Sequence, residues 1–362
     1  MPAWPPNRLT DLLEIEVPIL LAPMAGCGGV DLAVAVANAG GLGAYPCAYV
    51  KPDRIEKDVA DIRAGTNRPL NLNFFCHKEP VFDASRQDEW RAALEPFYAE
   101  YSAELPTPLA AAPDTSFNDD LCALVEKLRP RVVSFHFGLP RPDLLQRVKD
   151  IGSKILCSAT TVDEARHLED QGVDAIIAQG VEAGGHRGMF LSSDIASQVG
   201  TMALVPQIVD AVGVPVIAAG GISDGRGIAA AFALGASGVQ IGTAFLRCPE
   251  ALTSAVHRSA LAQSSAHSSV LTNVFSGKPA RSIANRLVRE LGPMSDKTPD
   301  FPLATRELGP LRAASQEKRD DSFTSLWSGQ AASLASDKSA ADVTNLLAEE
   351  ARSIMSRLGK VS

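Results

Sequence analysis

Eight short apolar runs recur along the chain, most of them separated by a stretch of helical periodicity, and this rhythm constrains the fold more than any other feature. They are residues 17–24 (VPILLAPM), 41–46 (GLGAYP), 70–75 (LNLNFF), 132–138 (VVSFHFG), 154–160 (KILCSAT), 175–180 (AIIAQG), 214–221 (VPVIAAGG) and 238–245 (GVQIGTAF). Near-continuous apolar runs suit strands buried on both faces of a parallel sheet. Eight strand-helix units predict closure into an α/β barrel of the (β/α)8 TIM type rather than an open doubly wound sheet.

Two segments fall outside the rhythm. Residues 76–130 carry prolines at 80, 96, 106, 108, 113 and 130, which leave room only for short helices. They read as an insertion after the third strand, with two helices and an extended connection. Residues 251–362 read as polar and helical, passing through KPARSIANRLV and ending in the amphipathic stretch ADVTNLLAEEARSIMSRL. The expected organisation is a barrel over 1–250 and a helical C-terminal region packed on its outside or over its mouth.

Composition excludes several classes. With 46% hydrophobic and 21% charged residues the chain can bury a large core, and its net charge of -8, with Lys and Arg scattered, lacks the footprint of a nucleic-acid binder. The six cysteines show no short paired spacing for a disulfide frame or a metal site, and His77, His167, His257 and His267 have no companion ligands in sequence. No apolar run approaches the roughly 18 residues of a membrane span, and MPAWPPNRLT lacks the form of a secretory signal. These features predict a cytoplasmic protein.

Active sites of such barrels lie at the carboxyl ends of the strands, with a phosphate commonly held by the loops after the seventh and eighth. Gly220 and Gly221 end the seventh run, and Gly242 with Thr243 follows Gln240 in the eighth, where backbone N–H groups are free to cradle an anion. Asn73 and Gln179 place amides at other strand ends, able to bond the edge of a heterocycle or else the neighbouring backbone. Met24 ends the first run beside a glycine loop. Ser134, His136 and Gly138 share one face of the fourth run, facing either a pocket or the core. His186 sits in DAIIAQGVEAGGHRG, a glycine-rich loop, and its imidazole can exchange a proton near neutrality.

These residues converge on a known family. The chain resembles the nitronate monooxygenases, formerly called 2-nitropropane dioxygenases, through RLTDLLEIEVPILLAPMAG, ANAGGLGAY, NLNFF, SFHFGLP, ATTVDEA, DAIIAQGVEAGGHRG, LVPQIVDAV, VPVIAAGGISDGRG, GVQIGTAFL, SGKPARSIANR and LWSGQ. The resemblance implies non-covalent flavin mononucleotide (FMN) and oxidation by dioxygen of alkyl nitronates, with propionate 3-nitronate and nitroalkanes as candidate substrates. It puts the catalytic histidine on His186. Flavin contacts fall on Met24, Asn73, Gln179, Gly184, Gly220, Gly221, Gln240, Ile241, Gly242 and Thr243. The insertion matches no motif.

Flavin-dependent enoyl-acyl-carrier-protein reductases, which use NAD(P)H, resemble the chain in EAGGH and in the phosphate loops. That family has glutamate where Gln179 stands and lacks the SFHFGLP segment, so the monooxygenase is preferred. A flavin-binding protein without turnover is a third reading, against which His186 stands in an intact glycine frame.

Overall fold

The computed structural model describes Trp4 and residues 7–108, 116–263 and 269–359. Its strands are β1 (Ile19–Leu21), β2 (Gly43–Pro46), β3 (Leu70–Phe75), β4 (Val132–His136), β5 (Lys154–Ala159), β6 (Ala175–Gln179), β7 (Gly185–His186), β8 (Val216–Ala219), β9 (Gly238–Ile241), β10 (Ser269–Thr272) and β11 (Ala280–Ile283). Eight of them form one parallel sheet in the order β1-β9-β8-β6-β5-β4-β3-β2. A parallel bridge between Leu20 and Leu42 joins its two ends, with Leu42 N–H donating to Ile19 O (3.0 Å) and Leu21 N–H to Leu42 O (3.0 Å). The sheet is therefore a closed barrel, as the eight apolar runs predict.

Strand alternation sorts side chains between the barrel interior and the helices outside. Along β3 and β4 the outward set is Leu72, Phe74, Val133 and Phe135, all buried, and Phe117 from the insertion packs edge-on against Phe74 and Phe135 at 4.9 and 5.2 Å. Burial of each large side chain of this kind contributes about 1.5–3 kcal/mol. At the other end of the barrel from the candidate site, the short helix Arg8–Leu13 is capped by Asn7, whose amide also donates to Ser237 O. Its Leu9 and Leu13 join Leu20, Leu42, Leu156 and Ile217 in an apolar plug that closes that end.

The insertion holds the helices Ala84–Tyr101 and Asp119–Leu128. The first is longer than its prolines suggest, with Pro96 inside it. Tertiary burial overrides the local cost: Trp90, Leu94, Phe97 and Tyr98 pack with Val274, Phe275, Leu308, Leu311 and Phe323 of the C-terminal region in a second apolar cluster. Pro113 lies outside the described residues.

Beyond Cys248 the chain is mostly helical, but β10 and β11 depart from the helical pattern expected there. They form an antiparallel sheet that takes in β7 from the His186 loop. The stretch KPARSIANR is strand β11 followed by Asn285, which caps the helix Arg286–Leu291. The final helix, Ala340–Leu358, lies on the barrel's outside, where Val343, Leu347 and Ala351 enter the main core. Among the described residues no helix is long and apolar enough to cross a membrane.

Candidate active site

The C-terminal ends of the barrel strands and the C-terminal region over them enclose a cavity of about 670 Å³, within the usual range for small-molecule sites. Met24, Asn73, Ser134, His136, Ser158, Gln179 and Gln240 reach it from successive strand ends, and Gly220, Gly221, Gly242 and Thr243 from the last two loops. Gly184 and His186 line it from the β6–β7 loop, and Phe275, Ser276, Leu308, Arg312 and Trp327 from the C-terminal region. The candidate residues are thus brought together, except Ile241. Its side chain is buried in the core among the helices, since alternation along β9 turns Gln240 inward and Ile241 outward. A flavin contact at Ile241 would therefore have to come from its backbone rather than its side chain.

Two side chains clasp the His186 loop from opposite directions. Gln179 Nε2 donates to His186 O (3.0 Å), and its Oε1 accepts the Gly188 N–H (2.7 Å). Arg187 reaches back, donating from Nη1 to Gly180 O (2.8 Å), from Nη2 to Gln179 O (2.7 Å) and from Nε to Gln198 Oε1 (2.9 Å). Its guanidinium is wholly buried, and burial pulls its pKa down to about 10. From above, Arg281 Nε donates to Val181 O (2.8 Å). For Gln179 the backbone role, one of the two left open by the sequence, is the one observed.

His186 Nε2 lies 2.8 Å from Ser276 Oγ, and its Nδ1 has no hydrogen-bond partner among the described residues. Phe75, Phe137, Phe301 and Trp327 surround the imidazole, with ring centroids 6.2, 5.8, 5.3 and 5.1 Å away. Burial pushes its pKa down to about 3, and His136, Lys278 and His77 act in the same direction. The ring is neutral at any working pH. In the tautomer that donates Nε2–H to Ser276, Nδ1 presents its lone pair to the cavity.

His136 also faces the cavity rather than the core. Its Nε2 lies 3.2 Å from His186 O, and because a carbonyl only accepts, the proton sits on Nε2 and Nδ1 accepts from the Ser158 hydroxyl (3.0 Å). Burial lowers its pKa to about 4. The next residue, Phe137, holds φ at +71°, a left-handed conformation that costs a non-glycine residue on the order of 1 kcal/mol or more. Its ring meets His136 at 4.6 Å and Phe75 at 4.9 Å, with Lys278 Nζ 4.7 Å from its centroid. Gly138, at φ +89°, turns the chain away, so only Ser134 and His136 of the expected face line the cavity.

Several features fit a flavin with a terminal phosphate. The Gln240 Oε1 atom is buried without a partner, and the Asn73 amide donates to Ser134 Oγ (2.9 Å) while its oxygen has no partner among the described residues. Both offer unmet hydrogen-bonding capacity at strand ends. The Gly221, Gly242 and Thr243 N–H groups bond no described residue. Gly220 and Gly221 take φ of +118° and +69°, which turn their backbone at the head of β8. A Cβ at Gly184 would come within 2.5 Å of Gly329 N, so only glycine lets that loop meet the C-terminal region. Among the described residues no cluster could hold a metal ion; His267 lies outside them.

Ser158, Ser276, Trp327, Arg187 and Arg312 were not singled out in sequence. SGKPARS and LWSGQ hold two of them, but nothing local says that antiparallel pairing with β7 carries Ser276 to His186.

A family model described as nitronate monooxygenase matches residues 6–350. A nitronate monooxygenase of Pseudomonas aeruginosa is 40% identical, covering 96% of this chain and 99% of its own. The crystal structure of a nitroalkane oxidase from Streptomyces ansochromogenes superposes with a TM-score of 0.89 at 37% identity, over 97% of this chain and 100% of the other. FabK from Thermotoga maritima follows with a TM-score of 0.76 at 32% identity, over 99% of both chains.

Proposed function

Because the chain belongs to the nitronate monooxygenase family, a family of flavin-dependent oxidoreductases, we propose that its cavity binds FMN and that dioxygen there oxidises alkyl nitronates to a carbonyl compound and nitrite. The observation that carries this reading is a neutral histidine facing a cavity whose glycine loops and unpartnered amides suit a flavin phosphate and ring. Gly221, Gly242 and Thr243 would hold the phosphate, and Asn73 and Gln240 the ring edge. When bound at these residues, the flavin would supply the redox chemistry between substrate and dioxygen.

The chain's own residues bind the substrate, orient it and exclude water. Phe75, Phe137, Phe301 and Trp327 keep water from His186, and the Gln179–Arg187 clasp fixes its backbone. A base works best with a pKa near the operating pH, and one held at about 3 removes an α-proton poorly. The site therefore suits a substrate that arrives as the nitronate, already deprotonated, to which His186 offers orientation and a hydrogen bond.

Oxygen uptake with the nitronate and the neutral form of one nitroalkane, at matched flavin content, tests the reading. Wild type should oxidise the nitronate, and turnover of the neutral form should be slower. In His186→Asn both forms should lose rate to a similar extent, whereas a loss on the neutral form larger by a factor on the order of 10²–10⁴ would make His186 a general base. Equal losses would leave His186 a positioning role, and no uptake by wild type with either form would reject the function. Heat-released flavin should be FMN; the adenine dinucleotide would refute the phosphate site.

The likeness to FabK keeps a flavin-dependent, NAD(P)H-using enoyl-acyl-carrier-protein reductase as the second reading. Gln179 weighs against it, because a glutamate there could not donate to His186 O. Rapid bleaching of the flavin by NADPH under anaerobic conditions would favour the reductase.

A further inference from the structure

Among the described residues the His186 side chain has one hydrogen-bond partner, Ser276, whose Oγ stands 2.8 Å from Nε2. The other ring nitrogen, Nδ1, has no partner and is open to the cavity that both residues line. Ser276 is buried in a turn whose backbone is tied down. The Ser276 and Gly277 N–H groups donate to Asn273 O (3.2 and 2.8 Å), and the Asn273 side chain exchanges two hydrogen bonds of 2.9 Å with the Ser295 backbone. What stays free is the torsion of the serine hydroxyl.

A hydroxyl has one proton to give and two lone pairs. The Lys278 N–H, 3.4 Å away, can only donate to Oγ, so the serine proton has two acceptors to choose between, Lys278 O at 3.5 Å and His186 Nε2 at 2.8 Å. Turned to Lys278 O, the hydroxyl accepts Nε2–H, and the cavity meets a lone pair on Nδ1. Turned to Nε2, it puts the ring proton on Nδ1, and the cavity meets a donor. The first arrangement makes one more hydrogen bond within the protein and suits the site without substrate; the second suits an anion. A doubly protonated ring is no route to that donor, because burial and the Lys278 ammonium, 4.7 Å from the Phe137 centroid, hold His186 neutral.

Resting on the nitronate reading above, we propose that Ser276 is a positioning residue whose hydroxyl turns from Lys278 O to His186 Nε2 when a nitronate binds, so that the ring carries its one proton on Nδ1 and donates it to a nitronate oxygen. The ring gives up a proton at Nε2 and gains one at Nδ1 by exchange with water, so the charge of the site is unchanged and the substrate stays an anion. An N–H aimed at an anionic oxygen makes a stronger bond than one aimed at a neutral acceptor, and that difference sets the serine's rotation.

Nuclear magnetic resonance of the flavin-loaded protein, with isotope-labelled histidine nitrogens, reads the tautomer directly, the His186 signals being those absent from His186→Asn. The probe is propionate, a planar anion shaped like a short nitronate but inert to this oxidation. Without it Nε2 should carry the proton, and with saturating propionate Nδ1 should. Ser276→Ala should lose the switch and bind propionate about tenfold more weakly, one hydrogen bond, and Ser276→Thr, which keeps the hydroxyl, should restore both. In oxygen uptake on a short alkyl nitronate, Ser276→Ala should lose about tenfold in kcat/KM, chiefly through KM. A proton that stays on Nε2 with propionate bound would overturn the proposal, as would His186 signals that propionate leaves unmoved, or an unaltered affinity and KM in Ser276→Ala. Should that variant fail to fold or to hold flavin, the wild-type spectra decide by themselves. Failure of wild type to oxidise the nitronate would reject the nitronate reading alone, since the propionate spectra judge Ser276 without turnover.

Discussion

Gln240 is a residue whose contributions to folding and to binding have opposite signs. Its Oε1 is buried without a partner, and an unmet buried acceptor costs about 1–3 kcal/mol. Gln240→Leu removes that acceptor at similar size, so the flavin-free protein should unfold at an equal or higher temperature while the flavin dissociation constant rises by about tenfold, one lost hydrogen bond. Thermal unfolding of the flavin-free protein and a fluorescence titration with FMN measure the two separately. A fall in stability and affinity together would make Gln240 structural and remove it from the cofactor. Gly242 offers a sharper version of the same question. A side chain there starts 3.2 Å from Ala22 Cβ and 3.4 Å from Met24 Sδ, and Gly242→Asp adds negative charge where the phosphate is expected. Purified Gly242→Asp should be nearly colourless, and full flavin content would refute the loop assignment.

Among the elements, the β6–β7 loop shows what sequence reveals and what it hides. The glycines and His186 stand out because they sit next to one another in DAIIAQGVEAGGHRG, and the barrel strands stand out because each is a self-contained apolar run of a few residues. β7 is hidden because two residues carry no periodicity, and they become a strand only by pairing with β11, far along the chain. Ser276, Trp327 and Arg312 reach the cavity through the same long-range pairing and packing. Arg187 was in plain view, but its meaning depends on the burial of a charge with only neutral hydrogen-bond acceptors, Gly180 O, Gln179 O and Gln198 Oε1. Such a group is kept at a cost, so it is expected to hold something in place. Arg187→Met keeps the volume and removes the clasp. Amide hydrogen exchange at Gly188, whose N–H is bonded to Gln179 Oε1, should then quicken by at least about tenfold while the amides of β4 and β5 stay protected. Unchanged exchange at Gly188 would show that the Gln179 side alone holds the loop.

Across the whole molecule, the insertion and the C-terminal region are each misfits of the strand-helix rhythm, and neither sequence segment says that the other completes it. Trp90 and Phe97 from one and Phe275 and Phe323 from the other make a common core beside the barrel mouth. Histidines stand along the junction between that cap and the barrel: His136 at a strand end, His186 on β7, and His257, whose Nε2 donates to Trp327 O (3.1 Å). Burial is the first cause of a lowered pKa in each, to about 4, about 3 and about 4. In the unfolded chain a histidine titrates near 6.5. A group whose folded pKa is depressed favours the fold fully above the unfolded value and loses that contribution as the pH drops toward the folded one. Stability should thus fall between about pH 6.5 and 4, with a slope approaching three protons in the lower half of the window. Ion-paired carboxylates such as Glu100 and Glu126, whose pKa is lowered by Arg286 and Arg147, give up their share only as the pH falls into and below the ordinary carboxylate range, so the upper part of the window isolates the histidines. Urea unfolding of the holoenzyme at pH 7.5, 6, 5 and 4.5 measures the slope, and His257→Gln should reduce it by about one proton. A stability that stays flat from pH 7.5 to 4.5 would mean that the junction opens to water before it unfolds, and that these rings are not held neutral by burial.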